Sequence, residues 1–397
     1  MAFVRDIIVH EMARLGITGM QEFLNKRGLA RVYPWIKEGK SIVSVRILKN
    51  FCQRFHVDPN ELEKKGIIQS PKLYPVNMSS SDFVRLKSHV LNEGRISVKK
   101  KSVGTLSYVN QDPVLLRYFA NVIKGLGGSI RKELTFEGYG LAAYANPVLA
   151  RALDFSGLPF GRKTRTNPPL DSLLRQNPEL FRYHIQATLV EEGWTSLTIS
   201  PYRRACLYIA WGRSVDIMAQ LSSEQVNTIK NITEILRKRK IAIGNIKDYD
   251  LLNNIIKNPP LLFNQELFIL SSTHKKKGWP EGHPTKIHLS KKGRITAFWE
   301  IHFTRPNLID LIHDEYGMLP GTWKARRFEK LYEAYRKFRG RRLTDDEILE
   351  IRRVKDENPP EISVEWVSEK VQELFPEAEG ARNLEKIRRM LGWKESE

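Results

Sequence analysis

The chain has 397 residues, with 65 Lys and Arg against 45 Asp and Glu, giving a formal net charge of +20. A protein this basic suits a polyanionic partner, because each phosphate it neutralises releases condensed counterions. At 41% hydrophobic and 10% aromatic, the composition excludes a disordered chain, and the length suits two to four domains.

Cys52 and Cys206 are the only cysteines, which fits neither a disulfide framework nor a thiolate metal site and suits a reducing compartment. No apolar run approaches the ~18 residues of a membrane span. The opening stretch, MAFVRDIIVHEMARL, is amphipathic and unlike a signal peptide. The expectations are a cytoplasmic protein with no membrane association and no small-molecule cofactor. The Lys/Arg/Glu/Ile-rich usage suits a thermophile.

From the N-terminus, residues 5–65 read as helices broken by short turns. Thr18 is placed to cap a helix holding Met20, Phe23 and Leu24. Gly28 turns the chain. A short helix is expected over 30–37, with Pro34 tolerable only in its first turn. Ser44 to Phe55 carries Val45, Leu48, Phe51, Cys52 and Phe55 on one helical face. The stretch GMQEFLNKRGLARVYPWIKEGKSIVSVRILKNFCQRFHVDPNELE resembles the lambda-repressor-like (Xre) helix-turn-helix domain. That resemblance implies a recognition helix over 29–37, with Arg31, Tyr33 and Lys37 toward the major groove. The alternative is an ordinary small helical bundle.

The middle of the chain repeats an order of features. FVRLKSHVLNEGRIS ends a helix at Glu93-Gly94, and LFRYHIQATLVEEGWTS ends one at Glu192-Gly193. Strand patterns follow over 95–108 and 194–208, and helices over 113–126 and 223–238. The copies close alike, on GLPFGRKTR and GMLPGTWKAR. The second is longer, with an insertion around 244–284.

A tandem repeat with an acid-Gly helix end resembles the LAGLIDADG homing endonuclease family in its single-chain, two-motif form, with degenerate motifs. YVNQDPVLLRYFANVIKGLGG and GRKTRTNPPLDSLLRQNPELFRYHIQATLVEEGWTSL carry the resemblance beyond the motifs. It implies an α+β fold: a tandem, pseudo-symmetric αββαββα LAGLIDADG saddle flanked by all-α helix-turn-helix domains. The expected division is 1–70, 78–170, 176–330 and 340–397.

The same resemblance implies a monomer with an internal pseudo-two-fold axis, bound to double-stranded DNA and nucleoid-associated. It places Glu93 and Glu192 as ligands of Mg²⁺ (or Mn²⁺), if the protein is catalytically active. Two carboxylates plus phosphates suit a hard cation, and the metal would assist phosphodiester hydrolysis. Gly after each acid turns the backbone into the next strand. Ser88 and Ala187 fall where close helix packing needs small residues. Lys87, His89, Asn92, Gln186 and Glu191 depart from the pattern by making both helices polar. Such groups must find partners or face solvent. Lys163 and Lys324, at matching ends of the repeats, are candidate catalytic lysines near the metals or backbone-phosphate contacts.

Basic runs lie at 99–101, 162–165, 237–240, 275–277 and 324–327. One such run is usually a solvated face; several among β-rich segments suggest a basic groove. The candidate groove face is Arg95, Lys99, Lys101 and Tyr108 with Arg162 and Arg165 in the first half. In the second it is Trp194, Tyr202, Arg203, Arg204, Tyr208, Trp211 and Arg213. Leu197, Ile199, Leu207 and Ile209 are expected in the core. His274, His283, His288, His302 and His313 fit no zinc template.

In the tail, TDDE at 344–347 is a capping box. Ser363 starts a second helix, and residues 381–391 form a third. The trio resembles a second helix-turn-helix, with Arg382, Lys386, Arg388 and Arg389 on or near the DNA-facing helix, or a capping bundle. Three functions follow from the whole: a site-specific, metal-dependent DNA endonuclease of the homing type; a non-cleaving DNA-binding regulator on the same scaffold, like WhiA; or an RNA-binding or RNA-processing protein.

Overall fold

The computed structural model describes residues 2–392 apart from 31, 39–44, 59–60, 63–64, 66–75, 100–101, 129, 138–139, 146, 159–162, 239–244, 247–255, 274–279, 290–293 and 379–382. The chain divides into two compact units, Met1–Val76 and Asn77–Glu397. No described helix is long and apolar enough to cross a membrane.

The first unit contains α1 (Ala2–Arg14), α2 (Met20–Lys26), α3 (Val32–Glu38) and α4 (Val45–Phe55). Val4, Ile8, Phe23, Leu24, Leu29, Val32 and Phe51 are buried together. Gly28 turns at φ +67° between α2 and α3, in the left-handed region glycine tolerates best. Thr18 does not cap α2. The N-cap is Gly19, without a side-chain bond, so the capping expectation was one residue early.

The second unit opens with α5 (Ser81–Asn92), β1 (Gly94–Lys99), β2 (Ser102–Asn110), α6 (Pro113–Gly125), β3 (Ile130–Glu137), β4 (Gly140–Ala145) and α7 (Pro147–Phe155). The order is αββαββα. Two short helices, α8 (Lys163–Thr166) and α9 (Ser172–Gln176), lead to α10 (Pro178–Glu191), β5 (Gly193–Ile199), β6 (Ala205–Asp216) and α11 (Ser223–Lys238). The inserted segment holds β7 (Asn245–Ile246) and α12 (Leu261–Thr273), and β8 (Glu281–Leu289) and β9 (Ile295–Phe303) complete the strands. Both sheets are antiparallel. The first runs β1-β2-β4-β3 and the second β5-β6-β9-β8-β7, so the second keeps the order of the first and adds β7 at one edge. The architecture is mixed α+β and compatible with a saddle.

Polar side chains fix where the helices begin. Ser80 caps α5 by accepting from the Phe83 amide. Asn177 caps α10 by accepting from Glu179 and Leu180, with Pro178 in the first turn. Asp112 serves two helices: one oxygen accepts from Val114 N of α6, the other from Trp323 N of α14 (Trp323–Phe338). Burial raises the Asp112 carboxyl to about 6, against these two donors.

After α13 (Pro306–Leu311) and α14, the tail forms α15 (Asp345–Glu357), α16 (Val364–Leu374) and α17 (Leu384–Met390). The Thr344–Glu347 capping box is formed, and Ser363 caps α16. The tail packs within the second unit: Arg117 of α6 lies over Phe375, and Trp366 sits against Trp323.

Each long helix that ends in acid-Gly turns straight into a strand. A Cβ on Gly94 would lie 2.6 Å from Val90 Cα, and one on Gly193 would lie 2.4 Å from the Leu189 carbonyl oxygen. Neither glycine has a left-handed φ. The requirement is close approach of strand to helix, not conformational freedom. Gly94→Ala and Gly193→Ala should each destabilise the fold by about 1–3 kcal/mol, read as a lower urea midpoint. Unchanged midpoints would contradict this packing.

Candidate functional site

Helices α5 and α10 pack side by side, and the small Ser88 and Ala187 are fully buried. Both helices end the same way. Glu93 has φ −106° and ψ −12°, and Glu192 has φ −109° and ψ −12°. Each backbone N–H donates to the carbonyl four residues back, Glu93 to His89 at 3.0 Å and Glu192 to Thr188 at 2.8 Å. The helices thus end in two half-buried carboxylates, near enough for the Glu192 charge to act on Glu93. Neither carboxylate accepts a hydrogen bond from a described residue.

The electrostatics follow from that crowding. Burial, then the nearby Glu192 charge, raises the Glu93 carboxyl to about 7. Glu192 is also raised by burial, against the opposing pull of Arg213 and Lys163.

Two amines stand beside the acids. Lys163 Nζ donates to the carbonyls of Val90 (3.1 Å) and Asn92 at the end of α5. Lys324 Nζ donates to the carbonyls of Gly193 (2.7 Å) and Glu191 (3.5 Å) at the end of α10. A cation at a helix C-terminus meets the negative end of the dipole. Burial depresses both amines, while Glu93 and Glu192 oppose the shift.

The polar departures are partnered. Lys87 donates to Asp171 (2.6 Å) and to the Ser156 carbonyl (3.0 Å). Gln186 donates to the Tyr316 carbonyl at 2.6 Å. His89 Nδ1 lies 2.6 Å from Glu191 Oε1, and its Nε2 lies 2.7 Å from the Tyr183 hydroxyl. A carboxylate only accepts, so Nδ1 carries the proton here. Tyr108 also donates to Glu191, and Asn92 Nδ2 donates to its other oxygen at 2.6 Å.

Arg213 is corrected from groove contact to core residue. Its side chain is 6% exposed. It donates to Glu266 on α12 (Nε 3.1 Å, Nη2 2.5 Å), to Asn92 Oδ1 (2.8 Å) and to Thr188 (3.1 Å). Burial would raise the Glu266 carboxyl, yet Arg213 and His184 hold it down at about 2. Tyr108 and Trp211 are likewise buried and leave the groove face.

The other expected contacts divide. Arg95, Arg165, Tyr202 and Arg204 are exposed. Arg165 lies 3.6 Å from Asp216. The Arg203 guanidinium is paired with Asp345. Lys386 is exposed, with its ammonium 5.3 Å from the Phe136 ring centroid. In the first unit Lys37 is exposed and Tyr33 packs partly on the core. Arg31, Lys101, Arg162 and Arg382, with the Lys99 side chain, lie outside the described residues.

Glu266 and Asp112 were missed from sequence. Glu266 did leave a signal: it is the lone charge in the helix LLFNQELFILSST.

Among solved structures, the chain is similar to the LAGLIDADG meganuclease I-AabMI bound to uncleaved DNA. The similarity has a TM-score of 0.33 and 13% identity, and covers 68% of this chain and 97% of that one. No protein-family model matches the chain, and no curated protein matches it.

An acid whose folded pKa lies above its unfolded value stabilises less as it ionises. Glu93 should therefore weaken the fold as pH rises from about 4.5 to about 7. Glu93→Gln should raise the melting temperature by a few degrees at pH 8 and barely move it at pH 4. An equal effect at both pH values would show that burial and the Glu192 charge do not raise the Glu93 carboxyl.

Proposed function

We propose that the protein binds double-stranded DNA and cuts it at a specific site, with Glu93 and Glu192 holding a divalent metal ion. The observation that carries this reading is the delivery of two carboxylates, free of hydrogen bonds among the described residues, to the adjoining ends of two packed helices. A pair of crowded acids is relieved by a cation, and Mg²⁺ is commonly held by one or two carboxylates completed by phosphates and water. Half-buried, charge-perturbed acids are the kind of group on which sites are built. The donor set therefore fits Mg²⁺ or Mn²⁺, which when bound would activate water and stabilise the leaving oxygen.

The chain's own residues supply the rest. Lys163 and Lys324 place positive charge beside the carboxylates. The two sheets, in common strand order, would form the halves of a pseudo-two-fold saddle, its open face carrying Arg95, Tyr202 and Arg204 toward the groove. The first unit would read DNA as a helix-turn-helix through α3, with Lys37 and Tyr33, and α17 would add Lys386, Arg388 and Arg389. The net charge of +20 suits this whole surface to a phosphate backbone.

One observation favours a second reading, a regulator that binds without cutting. Lys163 and Lys324 each pull against the raised carboxylates, so the site carries cationic charge with no metal. Incubation with Mg²⁺ or Mn²⁺ and duplexes from the protein's own genomic neighbourhood separates the two. The nuclease reading expects a cut at one site, abolished in Glu93→Gln/Glu192→Gln while salt-sensitive binding remains. Binding at one site with no cut by the wild type would establish the regulator instead.

A further inference from the structure

Asn92 and Glu191 immediately precede the two proposed metal ligands, one on each helix. They meet across the helix pair, Asn92 Nδ2 donating to Glu191 Oε2 at 2.6 Å. Glu191 Oε1 is held by His89 and Tyr108, and Asn92 Oδ1 by Arg213 at 2.8 Å. The chain of bonds then closes on itself. Arg213 runs to Glu266, Glu266 to His184 Nε2 at 2.8 Å, and His184 Nδ1 to Ser88 at 3.1 Å, back on the helix that bears Asn92. Glu266 also accepts from Trp211 Nε1 at 3.1 Å.

Stability alone does not call for this arrangement. A well-packed apolar helix pair of similar volume is often as stable as a buried ionic one or more so. What a fully partnered polar network adds is one defined geometry, and here it is anchored one residue before each carboxylate. We infer that Asn92 and Glu191 are positioning residues that fix the separation of Glu93 and Glu192, and that Glu266, from the inserted segment, holds this clasp through Arg213. The insertion is thereby part of the floor of the site. The inference rests on the proposed metal reading, and its test keeps the two apart.

The test is Mn²⁺ binding to the full chain, read by electron paramagnetic resonance without DNA, beside duplex affinity in EDTA. Glu191→Gln removes the acceptor facing Asn92. Mn²⁺ affinity should fall about tenfold, the lower end of what losing an outer-shell contact costs a metal site, with duplex affinity unchanged. Asn92→Asp/Glu191→Gln exchanges donor and acceptor at constant total charge and should restore Mn²⁺ affinity. Wild-type Mn²⁺ affinity in Glu191→Gln, or no recovery in the double variant, would overturn the clasp. If Glu191→Gln does not fold, the double variant decides alone, since it reverses the 92–191 bond while Arg213, His89 and Tyr108 still find acceptors, and it must hold Mn²⁺ as the wild type does. Glu93→Gln/Glu192→Gln is the control: if it binds Mn²⁺ like the wild type, or the wild type binds none, the metal reading fails and the clasp with it.

Discussion

The close packing of α5 on α10 is the constraint on which the second unit depends. It needs small residues at the contact, met by Ser88 and Ala187, and glycines where each strand leaves, met by Gly94 and Gly193. It also takes polar side chains out of water, which is tolerable only when their hydrogen bonds are replaced. The sheets follow from it. β1 leaves the end of α5 and β5 the end of α10, and the residues that must complete the buried network lie on β2, β6 and α12. Tyr108, Arg213 and Glu266 are inside for that reason.

That constraint also explains the charge distribution. Two acids at helix C-termini oppose the local dipoles and each other, so they need compensation nearby. Lys163 and Lys324 supply it from outside the helix pair, bonding the carbonyls that end each helix. Glu191 and Glu266 are compensated differently, by direct donors. The result is four acids in two classes: Glu191 and Glu266, buried and bonded to direct donors, and Glu93 and Glu192, half-buried and without a hydrogen bond among the described residues. This contrast, more than the net charge, is the observation on which the proposed metal site rests.

Much of this was legible in the sequence, and the misses have physical causes. The acid-Gly helix ends, the capping box at Thr344 and the cap at Ser363 are local signals, and local signals survive folding. On β6 the structure departs from the expected groove face for a reason of parity. With Leu207 and Ile209 inward, alternation already places Trp211 and Arg213 on the same side and Tyr208 on the other. Arg213 looked like a groove residue because a buried arginine needs a buried partner, and Glu266 lies 53 residues away in a segment that looked like a mere insertion. Long-range pairing of that kind leaves no periodicity to read. The polar positions of the two helices looked like departures from a packing rule; the structure shows them bonded across the pair and to its neighbours.

The central claim is that two helix ends present one divalent-cation site. A crystal structure of the protein soaked in Mn²⁺, with anomalous scattering recorded, tests it most directly. The account predicts an anomalous peak bridged by the Glu93 and Glu192 carboxylates, lost in Glu93→Gln/Glu192→Gln. Carboxylates engaged only by Lys163 and Lys324, with no peak between them at saturating Mn²⁺, would contradict it.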